Sequence, residues 1–138
     1  MKRKAPLSGS PENGNLNKMK TIDLSYLKKT TKLKPSLMME IISLYLKQTP
    51  PLVSAMKQSS KNKDWDSLQA AVHKMIPSFS IVGISKDIEN VARKLQDNAR
   101  TKQSTEGIPD MVTLLENVCV QACQELEEEH DIIKKTMQ

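Results

Sequence analysis

The chain is poor in the residues that build sheets and turns. Its 138 residues include one Trp, two Tyr, one Phe and four Gly. An all-β design relies on aromatic and β-branched strand residues and on glycine in tight turns, so this shortage disfavours one. Cysteine is scarce as well. Cys119 and Cys123 fall four apart in a helical pattern, which argues against a disulfide framework and for a reducing, cytoplasmic setting. They read as small core or boundary residues. No apolar run approaches the roughly 20 residues needed to span a bilayer, and the N-terminus has no apolar signal region. Several enzyme motifs are also missing. There is no Gly-rich phosphate loop for an ATP-using kinase and no Gly-x-Ser-x-Gly elbow. The two histidines, His73 and His130, lie far apart, and no Cys-x-x-Cys or His-x-x-x-His accompanies them, so no metal site is expected.

What is present suits one soluble globular domain, with 38% hydrophobic and 27% charged residues. The net charge of +5 is unevenly placed. In residues 1–20, Lys2, Arg3, Lys4, Lys18 and Lys20 face Glu12 alone, so four of the five net charges lie there. That segment is rich in Pro, Gly, Ser and Asn and has no apolar period, so it reads as a disordered basic tail or linker. It would suit a tether in a multidomain chain. The nearly neutral remainder, 21–138, lacks the basic stripe and stacking aromatics of a nucleic-acid binder.

Helical spacing runs through this remainder. Thr21 to Lys29 predicts a short helix with Asp23 as N-cap. Pro35 opens a second helix, which Pro50-Pro51 should break, starting another that runs to about Asn62. Asp64 can cap the next, which runs to Gly83. Ile84, Ile88, Val91, Leu95 and Ala99 mark a further stripe. Thr101 to Gly107 is loop-like, and Pro109 begins a long last helix with Met111, Leu115, Val118, Ala122 and Leu126 inward. Glu127-Glu128-Glu129 read as a solvated face, and His130 as a surface residue among acids. Long helices joined by short loops pack naturally as an all-α, antiparallel four-helix bundle with a short additional N-terminal helix.

The helix from Trp65 to Gly83 is the most informative. At about 100° per residue, Trp65, Leu68, Val72, Met75, Phe79 and Val82 cluster in one sector. His73 falls roughly 140° from the centre of that sector, facing water or a partner. Around it stand the compact residues Ala70, Pro77 and Ser80. Pro77 lacks the N–H that would bond the His73 carbonyl. The apolar spacing continues through Val82, so a kinked but continuous helix is expected.

The run His73-Lys74-Met75-Ile76-Pro77-Ser78-Phe79-Ser80-Ile81-Val82-Gly83 resembles the signature of histidine-containing phosphotransfer (HPt) domains, H-x-[LM]-K-[GP]-[ST]-x-x-x-x-G. His73, Met75, Ser78 and Gly83 match. Ile76 replaces the usual Lys, and Pro77 a usual Gly. In its order of helices the resemblance extends over roughly residues 21–135. It implies that His73 accepts a phosphoryl group on the ring nitrogen pointing away from the backbone. The donor would be the aspartate of a response-regulator receiver domain, which brings its own Mg²⁺ and Lys. No cofactor would belong to this chain. Lys74, Pro77, Ser78 and Gly83 become supporting residues. The resemblance adds Gln96, on the neighbouring helix near the imidazole, and Arg100 one turn on. Ala70, Ile76 and Ser80 would form the docking face, with Ile76 and Pro77 enlarging its apolar part. The setting implied is a multistep phosphorelay. The chain would be a monomeric shuttle or the C-terminal module of a hybrid sensor kinase, without direct membrane contact. A helical adaptor or oligomerisation domain without phosphoryl chemistry is the alternative, with its methionines lining adaptable surfaces. A nucleic-acid-associated bundle using the basic tail is a third reading.

Overall fold

The computed structural model describes residues 20–137. Apart from Lys20, the expected basic tail lies outside them. The described residues are all-helical, with five α-helices and no strand. These are α1 (Ser25–Thr30), α2 (Pro35–Lys61), α3 (Trp65–Val82), α4 (Lys86–Thr101) and α5 (Ile108–Met137), with a 3₁₀ turn over Thr105–Gly107 before α5. None is long and apolar enough to cross a membrane. Short turns join successive helices. Helix α2 packs against α3 and α5, α3 against α4, and α4 against α5, while α1 lies on α3.

The core follows the apolar stripes. Leu68, Val72, Met75, Phe79 and Val82 of α3 are buried, joined by Met38, Ile42, Tyr45 and Met56 of α2. Leu95 and Ala99 of α4 and Leu115, Cys119, Ala122 and Leu126 of α5 complete it. Each large side chain removed from water contributes about 1.5–3 kcal/mol of gross stabilisation. Three methionines, Met38, Met56 and Met75, are core residues, and Met39 and Met111 are half-buried. The Tyr45 hydroxyl is buried without a hydrogen-bond partner. Burial is the main cause that pushes the pKa of this hydroxyl well above the ordinary tyrosine value, with Cys119 and Cys123 beside it adding to the rise.

Two boundaries differ from the sequence expectation. Helix α2 does not break at Pro50-Pro51 but runs through both. The prolines leave the Leu46 and Lys47 carbonyls without their usual i+4 donors. Pro50, Pro51 and Lys47 are exposed, so solvent can satisfy those groups. Meanwhile the inward series Met38, Ile42, Tyr45, Thr49, Met56, Ser59 continues across the prolines on one face. Helix α1 begins later than expected, and Asp23 lies outside it. Its Oδ1 accepts from Ser25 N at 2.9 Å and from Ser25 Oγ at 2.6 Å.

Candidate functional site around His73

The site is built on one helical hairpin. Asp64 caps the start of α3 by accepting from Ser67 N at 3.2 Å and Ser67 Oγ at 2.7 Å. Pro77 lies inside α3, which continues to Val82. Gly83 ends it in the left-handed region, φ 77°. A Cβ there would stand 1.9 Å from the Asp23 carbonyl oxygen, so the chain segment before α1 requires glycine at this point. That segment is fixed by Asp23 N donating to the Val82 carbonyl at 3.0 Å. Gly83 therefore belongs to the end of α3, about 15 Å along the axis from His73. Ser85 then caps α4, accepting from Ile88 N at 3.3 Å.

His73 is exposed, and so are Ala70, Lys74, Pro77 and Ser80. The imidazole thus stands on a low platform beside α4. Gln96 reaches it from there, its Nε2 lying 3.0 Å from His73 Nδ1. The two ends of a side-chain amide differ in what they impose. With its nitrogen toward the ring, Gln96 donates to Nδ1 and the ring proton sits on Nε2. Turned over, its oxygen accepts from Nδ1–H and leaves the Nε2 lone pair free toward solvent. The second arrangement makes Nε2 a nucleophile.

The remaining sequence-derived residues divide. Lys74 and Ser78 line a shallow groove between α2 and α3 together with Ile41, Leu44 and Ile81. Leu44, 52% exposed, and Ile81, 37% exposed, make this flank of the His73 face apolar. Ser78 Oγ donates to the Met75 carbonyl at 2.7 Å, a bond within its own helix. Arg100 pairs with Asp97 on α4. Ile76, expected on the docking face, is instead buried, 6% exposed. It lies about 60° around α3 from His73, on the side that packs against α4. Its burial follows from that position, and it is a core residue here.

Three groupings were not foreseen from sequence. Glu89 of α4 is buried and takes Arg93 Nε at 2.9 Å and Arg93 Nη2 at 2.8 Å, with Lys86 Nζ at 3.5 Å. The Arg93 hydrogen bond is the largest cause holding the Glu89 carboxyl below the usual glutamate value. The i,i+4 Glu–Arg spacing was the available signal. Glu125 of α5 is 4% exposed and accepts from Thr21 N at 2.9 Å, Ile22 N at 3.1 Å and Gln121 Nε2 at 3.0 Å. Burial pushes its carboxyl up, but these donors and the charge of Lys20 together hold it below the ordinary value. Finally, His130 is half-buried, with its Nε2 3.2 Å from Ser43 Oγ. Among the described residues no cluster of three metal-ligating side chains occurs. No protein-family model, no curated protein and no solved structure matches the chain.

Proposed function

We propose that this chain is a histidine phosphotransfer module, an antiparallel four-helix bundle of α2 to α5 with α1 as a short additional helix. His73 accepts a phosphoryl group from a receiver-domain aspartate and passes it on in a multistep phosphorelay. The observation that carries the reading is the exposed imidazole on a platform of small residues with the Gln96 amide at Nδ1. A histidine needed only for packing would not stand outside the core in this way.

The chemistry asks little of the chain itself. With Nδ1–H donated to the Gln96 oxygen, the Nε2 lone pair attacks phosphorus. The P–O bond of the aspartyl phosphate breaks, and its electron pair leaves with the carboxylate. The ring keeps its Nδ1 proton and carries the positive charge of the phosphorylated imidazole. Phosphoryl transfer is governed by alignment and charge neutralisation, so a receiver bringing its aspartate and Mg²⁺ completes the site. Small Ala70, Pro77 and Ser80 let the two surfaces approach closely. The apolar flank of Leu44 and Ile81 provides area for transient docking. The test is transfer of label from a phosphorylated receiver. Wild-type chain is expected to gain label and His73→Gln to gain none, with equal helical circular dichroism. Equal labelling of the variant refutes the assignment.

A further inference from the structure

We infer that Cys119 and Cys123 form a two-thiolate site for one soft monovalent cation, copper(I), in the groove between α2 and α5, with the Tyr45 hydroxyl as its buried hydrogen-bond donor. The inference is independent of phosphotransfer, whose histidine meets Gln96 across α3 and α4.

The two cysteines are one helical turn apart on α5, which puts their Cβ atoms about 5–6 Å from each other. Both line one groove of about 350 Å³, walled on the α2 side by Thr49, Pro50 and Val53. Cys119 is 1% exposed, whereas Cys123 is half-buried, so an ion enters past Cys123.

The Tyr45 hydroxyl is a second, independent observation. Tyr45 is 6% exposed, and its Oη is buried with no hydrogen-bond partner. Cys119, Cys123 and Thr49 are its polar neighbours. A position that needed only apolar volume would be served by phenylalanine, without the cost of an unpaired buried hydroxyl. A neutral thiol is a weak acceptor, so the hydroxyl gains little from the cysteines as thiols. A thiolate is a strong acceptor. Metal binding at Cys119 therefore gives this orphan donor its partner, as an outer-shell group serves a metal ligand.

The donor set selects the ion. Structural zinc takes four ligands, and among the described residues no group of three His, Cys, Asp or Glu side chains could hold a metal. Calcium and magnesium require oxygen. Two thiolates suit a soft ion that accepts two ligands, which is copper(I). With metal–sulfur bonds of about 2.3 Å, two sulfurs on opposite sides of one ion stand about 4.6 Å apart. Side chains one helical turn apart can span that distance. Burial pushes both thiols up, Cys119 to about 12, so they keep their protons at neutral pH and only a strongly thiophilic ion displaces them. On binding, each S–H bond breaks and its electron pair forms the sulfur–copper bond. Two protons leave to solvent, the ion stays copper(I), and the site carries one net negative charge.

The test uses the full reduced chain without oxygen. Copper(I) is supplied as a coloured chelator complex, and its transfer is followed by loss of colour, with native mass spectrometry giving the stoichiometry. Wild-type chain should take one copper(I) and show a raised thermal midpoint. Cys123→Ala, at a half-buried position, should stay folded by circular dichroism and bind at least 100-fold more weakly. Tyr45→Phe should bind about tenfold more weakly, from loss of one hydrogen bond to a charged group, while its metal-free thermal midpoint is no lower than wild type. Zinc should not compete. No uptake by folded, reduced wild-type chain overturns the inference. Equal uptake by Cys123→Ala overturns it by placing copper elsewhere. Wild-type affinity in Tyr45→Phe overturns the role given to the hydroxyl.

Discussion

Phosphotransfer from Nε2 needs the Gln96 oxygen at His73 Nδ1, where it keeps the ring proton. Replacing Gln96 with Ala removes that acceptor, and the imidazole then samples both tautomers. Replacing it with Glu keeps an acceptor at Nδ1. We therefore expect Gln96→Ala to slow phosphoryl transfer severalfold and Gln96→Glu to retain most of it. ¹⁵N NMR of the imidazole should show the Nδ1–H form dominant in the Glu variant and mixed in the Ala variant. At this scale the sequence was partly legible. A single period of 3.6 residues was enough to put His73 opposite Leu68, Val72, Met75 and Phe79, because that relation lies within one helix. The nearness of Gln96 comes only from resemblance, because it depends on the register between two helices, which spacing along one helix does not contain. The Glu89–Arg93 pair lies within α4, where its i,i+4 spacing is visible in the sequence.

At the scale of the element, proline is a weaker signal than apolar spacing. Pro77 is internal to α3, as the apolar spacing that crosses it predicts. The same spacing crosses Pro50-Pro51, yet two adjacent prolines suggested a break. Local cost and tertiary gain oppose each other here, and burial of Tyr45, Thr49 and Met56 on one face exceeds the loss of two backbone bonds. Helix α2 therefore carries a local penalty at Pro50-Pro51 that solvent relieves only in part. The double variant Pro50→Ala/Pro51→Ala restores N–H donors to the Leu46 and Lys47 carbonyls. It should raise unfolding stability by about 1–3 kcal/mol, measured by urea denaturation, with the slope of the transition unchanged. A loss of stability instead would mean that the prolines set a helix curvature the core requires.

For the whole molecule, one buried carboxylate ties the start of the described chain to its last helix. Glu125 holds the Thr21 and Ile22 N–H groups, while Asp23 N holds the end of α3. The acidic run around Glu125 looked like a solvated face, and Glu127 and Glu128 are indeed exposed. Glu125 departs from that pattern because it borders the stripe of Ala122 and Leu126 and meets backbone donors distant in sequence. Its folded carboxyl is held below its unfolded value. Its contribution is therefore full above the unfolded glutamate pKa of about 4.3 and is lost as pH falls through the folded value. Glu125→Gln keeps an acceptor but loses the charge. It should cost about 1–2 kcal/mol at pH 7, and the difference from wild type should narrow in acid when unfolding is compared across pH. A constant difference would place the effect in packing rather than ionisation.

The molecule as a whole holds the exposed imidazole of His73 on a helical body, and phosphate on that imidazole is what the proposed function requires. The most direct measurement is ³¹P and ¹⁵N NMR of ¹⁵N-histidine-labelled chain after reaction with a phosphorylated receiver domain. One acid-labile phosphoryl group, coupled to Nε2 of His73, is expected in a protein that remains folded. Phosphate on His130 or on a hydroxyl side chain, or none on a folded chain with a panel of active receivers, would contradict it.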